Sequence, residues 1–158
     1  RPPRSTRKES SAASDVYKRQ VRGNNSNVGA VVTFVGYVRD FDKQDSKNLI
    51  NMNLEHYPGM TEKVLEDIEE KANERWSLFA VEIVHRVGKL KPSDPIVCVA
   101  VASQHRDNAF DAARFIIDFL KTEAPFWKKE FTDNGSYWVN EKESDHKQKI
   151  SWNIEKND

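Results

Sequence analysis

Ile96-Val97-Cys98-Val99-Ala100-Val101-Ala102 is the longest unbroken apolar run in the chain, and its reading decides the fold. It is far short of the ~20 apolar residues that a membrane-spanning helix needs. A short run rich in β-branched residues instead predicts a central strand covered on both faces. Just upstream, Lys91-Pro92-Ser93-Asp94-Pro95 makes a turn, and residues 79–87 carry β character, so these two strands form the core pair. Downstream, Asp107 is placed to cap a helix in which Phe110, Ala113, Ile117 and Leu120 line one face. Pro125 disfavours helical geometry at Ala124, so the helix ends near Thr122.

Further out, Ala30-Val31-Val32-Thr33-Phe34-Val35-Gly36-Tyr37-Val38-Arg39 is a second strand signal, followed by a polar loop over 40–48. Residues 50–57 alternate Met52, Leu54 and His56 against Asn51, Asn53 and Glu55, a strand with one buried face that Pro58-Gly59 closes. Met60, Val64, Leu65, Ile68 and Ala72 recur at helical spacing, with Thr61 as N-cap, so 61–75 reads as an amphipathic helix with a Glu-rich solvated face. After Phe126-Trp127-Lys128-Lys129-Glu130 come a turn at Asp133-Asn134-Gly135 and a last strand over 137–140. There is no βαβ rhythm and no glycine-rich phosphate loop. The expectation is an α+β domain with a mixed, mainly antiparallel sheet and two main helices.

The chain has 158 residues with 25 Lys+Arg against 25 Asp+Glu, so its formal charge is zero, which argues against gripping nucleic acid by bulk electrostatics. One domain of ordinary size fits this length. Its hydrophobic fraction of 37% lies below the ~45–50% of typical globular chains, as expected if polar tails surround a smaller core. Residues 1–22 carry seven basic and two acidic residues with almost no apolar periodicity, which reads as disorder. Within them, Ser11-Ala12-Ala13-Ser14-Asp15-Val16-Tyr17-Lys18-Arg19-Gln20 resembles translated sequencing-adapter sequence. The expected organisation is a disordered or non-native segment over 1–27, a domain over 28–152 and a polar tail over 153–158.

Cys98, the sole cysteine, falls inside the apolar run, so no internal disulfide, Cys-based zinc site or CxxC pair is available, and a reducing cytoplasmic setting fits. His56, His85, His105 and His146 are scattered, without the i, i+4 pairing of helical zinc sites, so no metal is expected. What remains is basic side chains where apolar sequence gives way to turns: Arg39, His105-Arg106, and Lys121 and Lys128 around Ala124-Pro125-Phe126-Trp127. His105-Arg106 can join helix N-terminal amides in holding an anion, or Arg106 can be solvated and Asp107 a plain cap. Lys121 can be a surface lysine favoured by the helix dipole, or one of two lysines projecting into an apolar-walled pocket. Phe126 and Trp127 fit core packing as well as a binding box.

Five stretches in order resemble the large, catalytic subunit of molybdopterin synthase, the MoaE family. They are Gly29 through Phe34 to Arg39, Leu54-Glu55-His56-Tyr57-Pro58-Gly59-Met60, His85-Arg86-Val87-Gly88, Ser103-Gln104-His105-Arg106, and Lys121 through Glu130. The resemblance runs from about Gly29 to Trp152. It implies an α/β hammerhead-type fold and a homodimer flanked by two small ubiquitin-like subunits in a heterotetramer. It implies sulfur transfer from the small subunit's C-terminal Gly-Gly thiocarboxylate to cyclic pyranopterin monophosphate (precursor Z), making the dithiolene of molybdopterin, with no cofactor. A chain whose one cysteine looks buried must receive sulfur from outside.

Carried over residue by residue, the resemblance implies Lys121 and Lys128 as catalytic. Arg39, His105 and Arg106 become phosphate-holding residues, Arg by forked hydrogen bonds, and Phe34 a wall. Lys142 stands where the family commonly has an arginine that reaches the neighbouring protomer, and lysine loses its bidentate geometry. The family also has a strand and helix before the Gly-Ala-Val-Val segment that residues 1–27 do not resemble. The alternative reading is a noncatalytic module that binds the tail of a ubiquitin-like protein.

Overall fold

The computed structural model describes residues 11–39, 41–42, 47–124, 126–132, 135–139, 147 and 150–152. The central strand is where the apolar run places it. β6 (Pro95–Ser103) lies between β1 (Ala30–Tyr37) and β4 (Leu78–His85), antiparallel to both. Its side chains alternate between two buried faces, as a strand's twofold period requires. Val99 and Val101 pack under α2 (Met60–Arg75) and α3 (Arg106–Thr122), with Leu65, Ile68, Phe115 and Ile116. Cys98, Ala100 and Ala102 face the other way, against Tyr17 and Val21.

Tyr17 and Val21 belong to α1 (Ser11–Arg22), within the segment expected to be disordered. They stand four residues apart, so both fall on one helix face, and both are buried on the sheet. The second cover of β6 therefore comes from a helix whose apolar stripe is only two large residues long.

The expected single sheet is two sheets, and every described pairing is antiparallel. In the second, β3 (Lys47–His56) pairs on one side with β7 (Phe126–Thr132). On its other side lie β2 (Phe41–Asp42) and β5 (Gly88–Leu90), while β8 (Gly135–Val139) extends β7. Part of the expected loop at 40–48 is thus a hairpin, with Phe41 opposite Asn48 and Asp42 opposite Lys47.

The helices depart from expectation at their ends and faces. Gly59, at φ 81, is the N-cap residue of α2 and its N–H donates to Glu62, whereas the Thr61 hydroxyl accepts the Tyr57 N–H at 3.0 Å. Only glycine adopts that φ readily. Thr61 is buried and Met60 exposed, the reverse of the expected pattern. His105, not Asp107, is the N-cap residue of α3, and it makes no side-chain cap bond. The buried stripe of α3 is Ala109, Ala112, Ala113, Ile116, Phe119 and Leu120, leaving Phe110 exposed. Three small alanines let the helix lie close on the sheet while Phe115 and Phe119 fill the gap to α2. Phe115, Trp76 and Trp152 meet edge to face at centroid distances of 5.3–5.7 Å.

Candidate active site

Two residues, Gln104 and His105, separate β6 from α3, and α3 packs back on β6 and β1. The helix must therefore run against β6, and its last turn, with Lys121, returns to the end of the sheet where β6 begins. β1 runs antiparallel to β6 and finishes at the same end, Tyr37 opposite Pro95. Val38 is held there by two backbone bonds, its N–H to the Asp94 carbonyl (2.9 Å) and the Ser93 N–H to its own carbonyl (2.7 Å). Arg39, exposed, follows directly.

Lys128 arrives from the second sheet. It pairs with Leu54, and Leu54 pairs on its other side with Gly88. Directly opposed residues of an antiparallel ladder share a face. Lys128 therefore stands on the face where Leu54 packs with Met52, Leu90, Val38 and Ile96. Val38 precedes Arg39 and Ile96 is the second residue of β6, so this face is the junction of the two sheets. Lys128 is half-buried there, whereas Lys121 is exposed in the last turn of α3. Phe34, on β1, is 37% exposed. Its ring leans over Gly36, where a Cβ would lie 3.4 Å from Phe34 Cε1 and 2.9 Å from Val97 Cγ1.

Arg39 and Lys121 thus lie toward one end of the first sheet, Lys128 on the face where the two sheets meet, and Phe34 on the strand that leads to Arg39. His105 and Arg106 do not join them. They open α3 while Lys121 closes it, which at 1.5 Å per residue puts about 24 Å of helix between His105 and Lys121. Both are exposed, and the Arg106 Nε lies 3.8 Å from Asp107 Oδ1. Lys142 and Pro125 fall outside the described residues.

One residue beside the junction was given no role from the sequence. His85, the last residue of β4, is buried, and its Nδ1 lies 2.7 Å from the Arg86 carbonyl oxygen. Burial lowers its pKa to about 4; the carbonyl opposes this and the charge on Lys128 adds to it. At neutral pH the ring is therefore neutral. A carbonyl oxygen only accepts, so the proton is on Nδ1 and Nε2 is unprotonated. No signal along the sequence distinguishes this histidine from an exposed one, because its burial is made by the crossing of β4, β5 and β6.

The arrangement sets cations beside a partly apolar junction, Lys128 half-buried and Lys121 at a helix end. No group of three or more His, Cys, Asp or Glu among the described residues is placed to hold a metal ion.

Known proteins resemble this chain along most of its length. The family model described as MoaE protein matches residues 6–123, starting inside the segment that sequence reading set apart. The molybdopterin synthase catalytic subunit of Pseudomonas aeruginosa is 52% identical over 132 residues, 84% of this chain and 87% of that protein. The molybdopterin biosynthesis MoaE protein of Burkholderia ambifaria superposes with a TM-score of 0.75 at 44% identity, over 94% of this chain and 95% of its own. Molybdopterin synthase from Staphylococcus aureus gives 0.73 at 37% identity, over 80% of this chain and 89% of its own. With the α+β architecture and these matches in agreement, the chain belongs to the MoaE family.

Proposed function

We propose that this chain is the catalytic subunit of a molybdopterin synthase, a sulfurtransferase. It converts precursor Z to molybdopterin with sulfur from the C-terminal thiocarboxylate of a small ubiquitin-like subunit. What supports the reading, beyond family membership, is that Lys121 closes α3, Arg39 follows β1 and Lys128 stands on the face of β7 where the two sheets meet. Cys98 supports an external sulfur source, because it is buried in the middle of β6. No helix among the described residues is long and apolar enough to cross a membrane, and a chain whose sole cysteine can form no internal disulfide suits a reducing compartment, so we place the reaction in the cytoplasm.

In this reading Lys121 transfers a proton and stabilises charge as the thiocarboxylate reacts, and Lys128, less hydrated, orients the substrate and offsets developing negative charge. Arg39 holds the phosphate of the pterin through forked hydrogen bonds, and Phe34 walls the recess. His105 and Arg106 cannot reach the same substrate from about 24 Å away along one helix. For them to take part, a second copy must bring its α3 N-terminus to this recess, which favours a homodimer with composite sites. In the same reading Lys142 keeps the charge of the arginine that the family commonly has there and loses its forked hydrogen bonds.

The test is conversion of precursor Z by this chain with a thiocarboxylated small subunit, beside Lys121→Ala, with subunit binding measured separately. Transfer that collapses in Lys121→Ala while binding persists supports the assignment. Binding without transfer by the parent chain would favour the noncatalytic module.

A further inference from the structure

We propose that Trp152 is a positioning residue for Lys121: by tying the side chain of Asp118 to the C-terminal segment, it fixes the last turn of α3 and so the point from which the lysine projects. This rests on the reading of Lys121 as part of the sulfur-transfer site.

The use for such a tie comes from where Lys121 stands, as the second-to-last residue of α3. The last carbonyls of a helix have no partner within it, and a helix end left to itself frays. A side chain that does chemistry there is placed only as well as its turn is held.

Asp118, three residues before Lys121, is the hub of the contacts that hold this turn. Its Oδ2 accepts the indole Nε1–H of Trp152 at 2.8 Å, and its backbone carbonyl accepts the Thr122 hydroxyl at 3.0 Å. The backbone of Lys121 therefore lies between two residues that are joined across the turn. Just past the helix, the Glu123 N–H donates to the Phe119 carbonyl at 2.8 Å.

Trp152 is itself held. It is buried, meets Trp76 and Phe115 edge to face at 5.7 and 5.6 Å, and its carbonyl accepts a hydrogen bond from Arg75 Nη2 at 2.8 Å. Arg75 ends α2, and its guanidinium lies 4.9 Å from the centre of the Phe115 ring. The indole thus reaches Asp118 from a socket made by α2 and the middle of α3, which ties the last turn to the core. A second tie, Lys71 Nζ to Glu123 Oε2 at 3.4 Å, joins partly exposed side chains and is weak by comparison.

Packing does not account for the pair. Phenylalanine would fill the same socket, but only the indole N–H directs a hydrogen bond at a chosen carboxylate oxygen. Asp118 stands near the negative end of the helix dipole, where a carboxylate is unfavourable, so helix stability does not account for it either. Positioning of this kind acts on the turnover step more than on partner affinity.

The reconstituted two-subunit enzyme is tested with Trp152→Phe, Asp118→Ala and Asp118→Asn, at a temperature where each variant is folded. Asp118→Ala raises helix propensity, so a loss there does not come from a weaker helix. Trp152→Phe and Asp118→Ala are each expected to lower kcat about tenfold with KM for the small subunit unchanged, and Asp118→Asn, whose amide oxygen still accepts the indole N–H, to recover most of it. Parental kcat in either of the first two overturns the proposal, as does an Asp118→Asn no better than Asp118→Ala. Amide hydrogen exchange gives a readout independent of turnover. The N–H groups of Lys121, Thr122 and Glu123 are expected to exchange about tenfold faster in Trp152→Phe than in the parent, while those of Phe115 and Ile116 stay protected. Unchanged exchange in the last turn, or faster exchange along all of α3, overturns it. A Lys121→Ala control that keeps full activity would instead overturn the role given to Lys121, and the exchange rates would still decide whether Trp152 holds the turn.

Discussion

Acid should destabilise this fold through His85 in a way that can be isolated. An unfolded histidine titrates near 6.5, and the folded ring near 4 because burial opposes the charged form and Lys128 stands close. Between those values the unfolded chain binds more protons than the folded one, so stability falls as pH falls, and below about 4 the loss is complete. The difference of some two and a half pH units corresponds to about 3 kcal/mol, an order-of-magnitude value for a buried group. The assay is urea unfolding of the parent and of His85→Gln at a series of pH values from 7.5 to 4. Other titrating groups contribute to both chains, so the difference between the two curves isolates His85. The parent is expected to lose about 3 kcal/mol relative to the variant across the window, most of it below 6.5. Parallel curves would refute the reasoning, because they would mean that the ring charges as readily in the folded state as in the unfolded one.

Three further outcomes follow from the packing. Gly29→Ala would drive a Cβ into the backbone carbonyl of Gln104, just ahead of His105 and Arg106, and should lower stability by about 1–3 kcal/mol in thermal or urea unfolding; an unchanged midpoint would contradict that close approach. Trp152→Phe removes the 2.8 Å bond from indole Nε1 to the Asp118 carboxylate while keeping most of the ring packing on Trp76 and Phe115, and should cost about 1–2 kcal/mol by urea unfolding. Tyr17→Ala should destabilise the chain by about 3 kcal/mol and raise the reactivity of Cys98 toward a thiol reagent, because α1 covers that face of β6; equal stability and an inert thiol would show that α1 is dispensable cover.

The sequence disclosed those elements whose signal is local. The run from Ile96 to Ala102 had to be a strand covered on both faces, and α2 and the C-terminal limit of α3 followed from periodicity and Pro125. What supplies the second cover was not legible: α1 presents two apolar residues in a basic, serine-containing segment, and only the sheet opposite gives them meaning. β7 was missed because Lys128-Lys129 interrupts alternation. The structure reconciles the pair by turning Lys128 to the junction face and laying Lys129 over the rings of Phe131 (5.6 Å) and Trp138 (5.4 Å). The split into two sheets is a matter of register, which no single stretch encodes.

The candidate site was legible as a set of residues and not as a geometry. Arg39 and Lys121 stand near element ends, as their positions beside turns suggested, but adjacency to turns does not say at which end of the molecule a turn lies. His105 and Arg106 open the helix that Lys121 closes, so one chain separates them. His85 became visible only through its burial and its neighbours.

Mixing two defective chains tests the composite sulfur-transfer site most directly. Lys121→Ala and Arg106→Ala are each expected to be inactive alone in converting precursor Z with a thiocarboxylated small subunit. If each site draws Lys121 from one copy and Arg106 from the other, a mixed dimer holds one doubly defective site and one intact site. Random reassembly of equal amounts should then recover about a quarter of the parental rate, half the dimers being mixed and each having one working site. No recovery from folded chains that demonstrably exchange subunits would contradict the account, since it would mean that every site carries one defect and that both residues act from the same chain or not at all.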